Sequence, residues 1–93
     1  MNIDLLIKMT NEIGEFFAGA ADAQQAPRDV ANHLKRYWEP RMRAQMIAYY
    51  EQRQGAGLTD LAKSGVALLV EDSKAAGAAG AASQGGTSRG AKA

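Results

Sequence analysis

Ile3, Leu6, Met9, Ile13, Phe16 and Phe17 recur at steps of three and four residues, which predicts an amphipathic helix from Ile3 to Phe17 with these side chains on one face. Asn2 or Asp4 supplies a capping oxygen at its start. The stretch "AGAADAQQAP" loses the period and reads as a loop. Pro27 then fits the first turn of a second helix, where its missing N–H has no intrahelical partner to lose. That helix is expected to run to Tyr37, with Val30, Leu34 and either Tyr37 or Trp38 on one face.

Pro40 disfavours helical geometry at Glu39, so the chain turns there, and Pro40 opens a third helix. Met42, Met46, Tyr49, Tyr50 and Arg53 follow its helical step. "QGAGLTD" ends it: Gly55 suits the left-handed position after a helix, and Thr59 or Asp60 can cap the next. In "TDLAKSGVALLVED" Leu61, Leu68 and Leu69 share roughly one side, with Ala62 and Val66 nearby. Gly65 weakens this fourth helix, and periodicity alone leaves a short strand open at "VALLV". After Asp72 no large apolar residue follows, so residues 73–93 are expected to form a disordered Ala/Gly/Ser-rich tail. The prediction is an all-α domain over residues 1–72, a small bundle of three to four short helices, with no internal repeat.

Composition narrows what such a bundle can do. The 93 residues contain no cysteine. That removes thiolate zinc, cluster ligation, a Cys nucleophile and any thiol switch. It also removes disulfides, and a core drawn from about 70 residues is marginal alone, which makes a partner protein the expected source of further stability. The first residues lack the basic start and continuous apolar run of a signal peptide. No stretch reaches the roughly 20 apolar residues needed to span a bilayer. A cytoplasmic protein with no membrane partner is the expectation.

Candidate chemistry is sparse. His33 is the single histidine; Asp29 lies one helical turn before it, but no nucleophile or second acid is placed to complete a catalytic arrangement. A histidine making one structural hydrogen bond is the plainer reading. The carboxylates are scattered, and "GAG" at 55–57 and "GAAG" at 77–80 lack the strand–loop–helix setting of a nucleotide site. No catalytic, cofactor-binding or metal-binding residue is assigned.

The densest chemistry is "HLKRYWEPRMR" at residues 33–43, with Lys35, Arg36, Arg41 and Arg43 around Tyr37 and Trp38. Cations and aromatics together can grip phosphate and stack bases. A nucleic-acid domain usually carries a clear excess of positive charge, however, and this chain's net charge is +1. Trp, Tyr, Met and Arg are the types enriched at protein interfaces, and Pro40 stiffens the corner that carries them. Trp38 and Met42 plugging the core, with arginines as a solvated rim, is the competing structural reading. Met42 and Met46 suit irregular gaps.

This stretch, together with the preceding "IDLLIKMTNEIGEFF", closely resembles the small delta subunit of cytoplasmic NAD-dependent formate dehydrogenases containing molybdenum or tungsten. The resemblance covers about residues 2 to 70, and its specific part runs from His33 through Trp38, Pro40 and Arg41 to Arg43. It implies a non-catalytic accessory subunit of a complex that oxidises formate to carbon dioxide and reduces NAD. The alpha (large) subunit would carry molybdopterin guanine dinucleotide with Mo or W and iron–sulfur clusters; beta and gamma subunits would carry FMN, further clusters and the NAD site. The chain itself would hold no cofactor. It would dock directly on the alpha subunit, stabilising the assembly or supporting cofactor insertion, with a transient loading chaperone as the alternative and a small nucleic-acid-binding regulator as a more distant one. The expected contact residues are His33, Arg36, Tyr37, Trp38, Pro40, Arg41, Met42 and Arg43. Truncating Trp38 or a buried arginine at such an interface would cost about 2 kcal/mol of binding. The Ala/Gly tail departs from the family pattern and receives no function.

Overall fold

The computed structural model describes residues 2–19 and 22–81, with side chains through Ala76, and folds them into four α-helices: α1 (Ile3–Ala18), α2 (Ala26–Tyr37), α3 (Pro40–Arg53) and α4 (Asp60–Ala81). Among the described residues there is no strand, so "VALLV" resolves as helix. Asn2 is the residue that caps α1: its Oδ1 accepts from the Asp4 N–H at 2.7 Å. Between α1 and α2, the Asp22 side chain accepts from the Gln24 N–H at 3.0 Å and tightens the entry turn.

α2 lies most extensively against α4, and α4 also packs on α1 and α3. Two glycines permit this closeness. A Cβ on Gly65 would stand 2.6 Å from Val30 Cβ, and one on Gly14 would stand 3.4 Å from Ala62 Cβ. Gly65 therefore weakens α4 as a helix while allowing α2 to press against its backbone. Around these crossings Leu6, Val30, Leu34, Met46 and Val66 are fully buried, joined by Trp38, Leu58 and Leu69. The buried Thr10 hydroxyl donates to Leu6 O at 2.7 Å, so it enters the core without an unpaired group.

The link from α3 to α4 is held by contacts with no signature in the sequence. Asn11 of α1 donates from Nδ2 to Gly57 O at 3.0 Å and accepts the Thr59 N–H at 2.8 Å, stitching the loop to α1. Thr59, one of the two expected caps, accepts from the Ala62 N–H at 3.3 Å. The left-handed turn begins one residue earlier than expected: Gln54 has φ 53°, followed by Gly55 at 75°.

Two further expectations are corrected. Helix α4 does not stop at Asp72; residues 73–81 continue it, and the rest of the expected tail, residues 82–93, lies outside the described residues. Phe16 is not on the core face of α1 but is 77% exposed, because the core-facing stripe of that helix is the narrower line of Leu6, Thr10 and Gly14. Among the described residues no helix is long and apolar enough to cross a membrane.

Candidate docking groove

The site begins with the corner between α2 and α3. Trp38 leaves the helix with φ −89° and ψ 141°, while its N–H still donates to Leu34 O at 3.1 Å. Glu39 is extended, and Pro40 restarts the helix. Arg43, one turn into α3, reaches back: its Nη1 donates to Trp38 O at 2.5 Å and to Lys35 O at 3.1 Å. A cation thus satisfies carbonyls that the end of α2 leaves without intrahelical partners. The corner is clamped by charge-assisted hydrogen bonds as well as by proline.

That arrangement divides the expected contact residues. Trp38 is 5% exposed and belongs to the core cluster, so it is not presented outward as a free anchor. The physical reason is that a large flat apolar ring is more stable enclosed by the core cluster than facing solvent. Arg43 is likewise spent inside the chain. His33, Tyr37, Met42 and the nearly buried Trp38 line a shared groove, whereas Arg36, Pro40 and Arg41 are exposed beside it.

The groove is open, has a volume of about 530 Å³, and is chiefly apolar. Its second wall comes from α1: Met9, Ile13, Phe16 and Phe17, with Glu12 at the edge. Phe16 and Phe17 meet edge to face with centroids 5.0 Å apart, Phe17 meets His33 at 6.0 Å, and His33 lies 4.7 Å from Tyr37. Tyr37 is 66% exposed, and the Arg36 guanidinium stands 5.7 Å from its ring centre. His33 is therefore one member of an aromatic series. Asp29, its candidate partner, accepts instead from Gln25 Nε2 at 3.4 Å.

The α1 wall was not among the expected contact residues, since Phe16 and Phe17 read as core. The signal lay in their adjacency: neighbours on a helix are about 100° apart, so two successive phenylalanines cannot both point at the centre of a narrow core stripe.

Elsewhere Asp72 of α4 bridges two cations of α2, Arg28 at 2.5 Å and Lys35 at 2.9 Å. The hydrogen bond from Lys35, with Arg28 beside it, holds this carboxyl below its ordinary value against the opposing effect of burial. Among the described residues no three His, Asp or Glu side chains gather into a metal-binding group.

Fold and groove together define a small all-α protein with an open apolar and aromatic concavity. A family model described as the NADH-dependent formate dehydrogenase delta subunit, FdsD, matches residues 5–66, two thirds of the sequence, and the chain belongs to that family. The match spans most of α1, all of α2 and α3 and the first turns of α4, and so contains every residue of the groove. No curated protein and no solved structure matches the chain. Membership makes it a subunit of a multisubunit formate dehydrogenase.

Proposed function

We propose that this chain is a non-catalytic accessory subunit that docks directly on the alpha (large) subunit of a cytoplasmic NAD-dependent formate dehydrogenase and stabilises the assembly or supports cofactor insertion. The observation that carries the reading is the aromatic groove at the family-specific stretch: Tyr37 and Phe16 stand largely exposed where a folded monomer gains nothing from exposing them. Aromatic, Met and Arg side chains around one concavity are the composition of an interface centre.

In this reading the alpha subunit holds the molybdopterin guanine dinucleotide, with Mo or W, and iron–sulfur clusters. The beta and gamma subunits hold FMN, further clusters and the NAD site. The chain's own contribution is binding energy, in keeping with a sequence that offers no thiolate. The basic stretch is also divided in a way that suits protein docking better than phosphate: Lys35 is paired with Asp72, and Arg43 is bonded to carbonyls.

The test is purification of the mature complex through a tag on the alpha subunit, with subunit stoichiometry and formate-dependent NAD reduction measured on the same sample. One copy of this chain per alpha subunit, retained in active enzyme, is the expected result. Its presence only on alpha subunit lacking the metal cofactor would make it a loading chaperone. Its absence from every alpha-containing fraction would overturn the docking reading.

A further inference from the structure

Two smaller hollows extend the groove. One shares Phe17, His33 and Tyr37 with it and reaches Arg36 and Asp29; the other shares Met42 and reaches Arg41 and Glu39. The result is an apolar trough between α1 and the α2–α3 corner with a guanidinium in each of the two adjoining hollows. Among the described residues neither Arg36 nor Arg41 makes an ion pair, in contrast with Arg28 and Lys35, which are joined to Asp72. Glu12 on the α1 wall is also without an ion pair there.

From this charge pattern, and resting on the docking reading above, we propose that the trough receives one amphipathic helix of the large subunit, its apolar face against Phe16, Phe17 and Tyr37 and its carboxylates on Arg36 and Arg41. A helix laid in an apolar groove meets it through residues at i, i+3, i+4 and i+7, which suits a trough lined by α1 on one side and the α2–α3 corner on the other, with the buried Trp38 in its lining. A carboxylate meeting Arg36 finds a guanidinium already held over the Tyr37 ring, so less side-chain freedom is lost on pairing. Glu12 opposite sets the orientation: the edge of the incoming helix that faces α1 carries a basic or neutral residue.

The experiment uses the full chain and the purified large subunit. Affinity is compared for the wild-type chain, Phe16→Glu, the Arg36→Glu/Arg41→Glu pair, and Ser64→Glu on α4 as a charge control outside the trough. Circular dichroism and thermal unfolding of each free chain establish that its fold is intact; Phe16, Arg36 and Arg41 are all exposed, so substitution leaves the core in place. In parallel, a photo-crosslinking phenylalanine analogue incorporated at position 16 captures the segment lying in the trough, which mass spectrometry then identifies. Expected are a loss of about tenfold or more for Phe16→Glu and for the arginine pair, wild-type affinity for Ser64→Glu, and capture of a single large-subunit segment with helical apolar spacing and carboxylates along one edge. Wild-type affinity in the trough variants, or capture of a basic or non-periodic segment, would overturn the helix-in-trough arrangement while leaving docking intact. No binding by the wild-type chain would overturn both. A dimer of the free chain that Phe16→Glu dissolves would assign the trough to a second copy instead.

Discussion

Trp38 decides how the corner between α2 and α3 is built. Its ring is almost wholly enclosed, its N–H closes α2, and its carbonyl receives Arg43. Trp38→Ala should therefore lower the unfolding free energy of the free chain by about 3 to 5 kcal/mol through lost burial and the cavity left behind, measurable by urea titration. Any weakening of partner binding by that variant is inseparable from unfolding, whereas Tyr37→Ala should leave stability within about 0.5 kcal/mol and cost about 2 kcal/mol of binding. The density of chemistry around Trp38 was legible in the sequence; the direction of its side chain was not. A residue at a helix end before proline has no periodic face, so only the third dimension fixes where its ring points. The same holds for Arg43, whose role as a clamp depends on carbonyls five and eight residues back.

At the scale of elements, four helices and their turns follow from apolar spacing, two prolines and the Gly-containing loop, and these were readable. What was not readable is tertiary. Gly65 looked like a defect in α4 and is the point where Val30 of α2 comes closest. Gly65→Ala gains helix propensity worth about 1 kcal/mol but forces a methyl into Val30 and the Pro27 carbonyl, and overpacking should give a net loss of about 1 to 2 kcal/mol. An alanine variant more stable than wild type would contradict this packing. The extension of α4 beyond Asp72 carries no large apolar residue to mark it in the sequence; alanine is the strongest helix former, and a helix already nucleated by packing propagates at little cost.

The same two elements are joined by Asp72 with Arg28 and Lys35. Because its folded value lies below its ordinary value of 3.8, this carboxylate contributes stability above the unfolded value, and the contribution is lost as pH falls through the folded one. Asp72→Asn should thus be less stable than wild type at neutral pH, by less than about 1 kcal/mol because all three groups are partly solvated. The difference should close below about pH 3.8. A gap that persists unchanged into that range would mean that the α2–α4 ion pairs contribute nothing.

For the whole molecule, a core built around Leu6, Val30, Leu34, Met46 and Val66 is small, and the chain nevertheless leaves Phe16 and Tyr37 exposed beside an apolar groove. The proposed docking gives those two features one explanation: a partner over the groove would add stability to a small core. Binding to the folded form alone raises stability by about 2.7 kcal/mol at a hundredfold excess of partner over Kd. The most direct test is a titration of the full chain with purified formate dehydrogenase large subunit, following both complex formation and the thermal unfolding of the chain. Saturable binding at one chain per large subunit, with Tm of the chain rising as partner is added, is the predicted result. A large subunit that neither binds the chain nor raises its Tm would contradict the account.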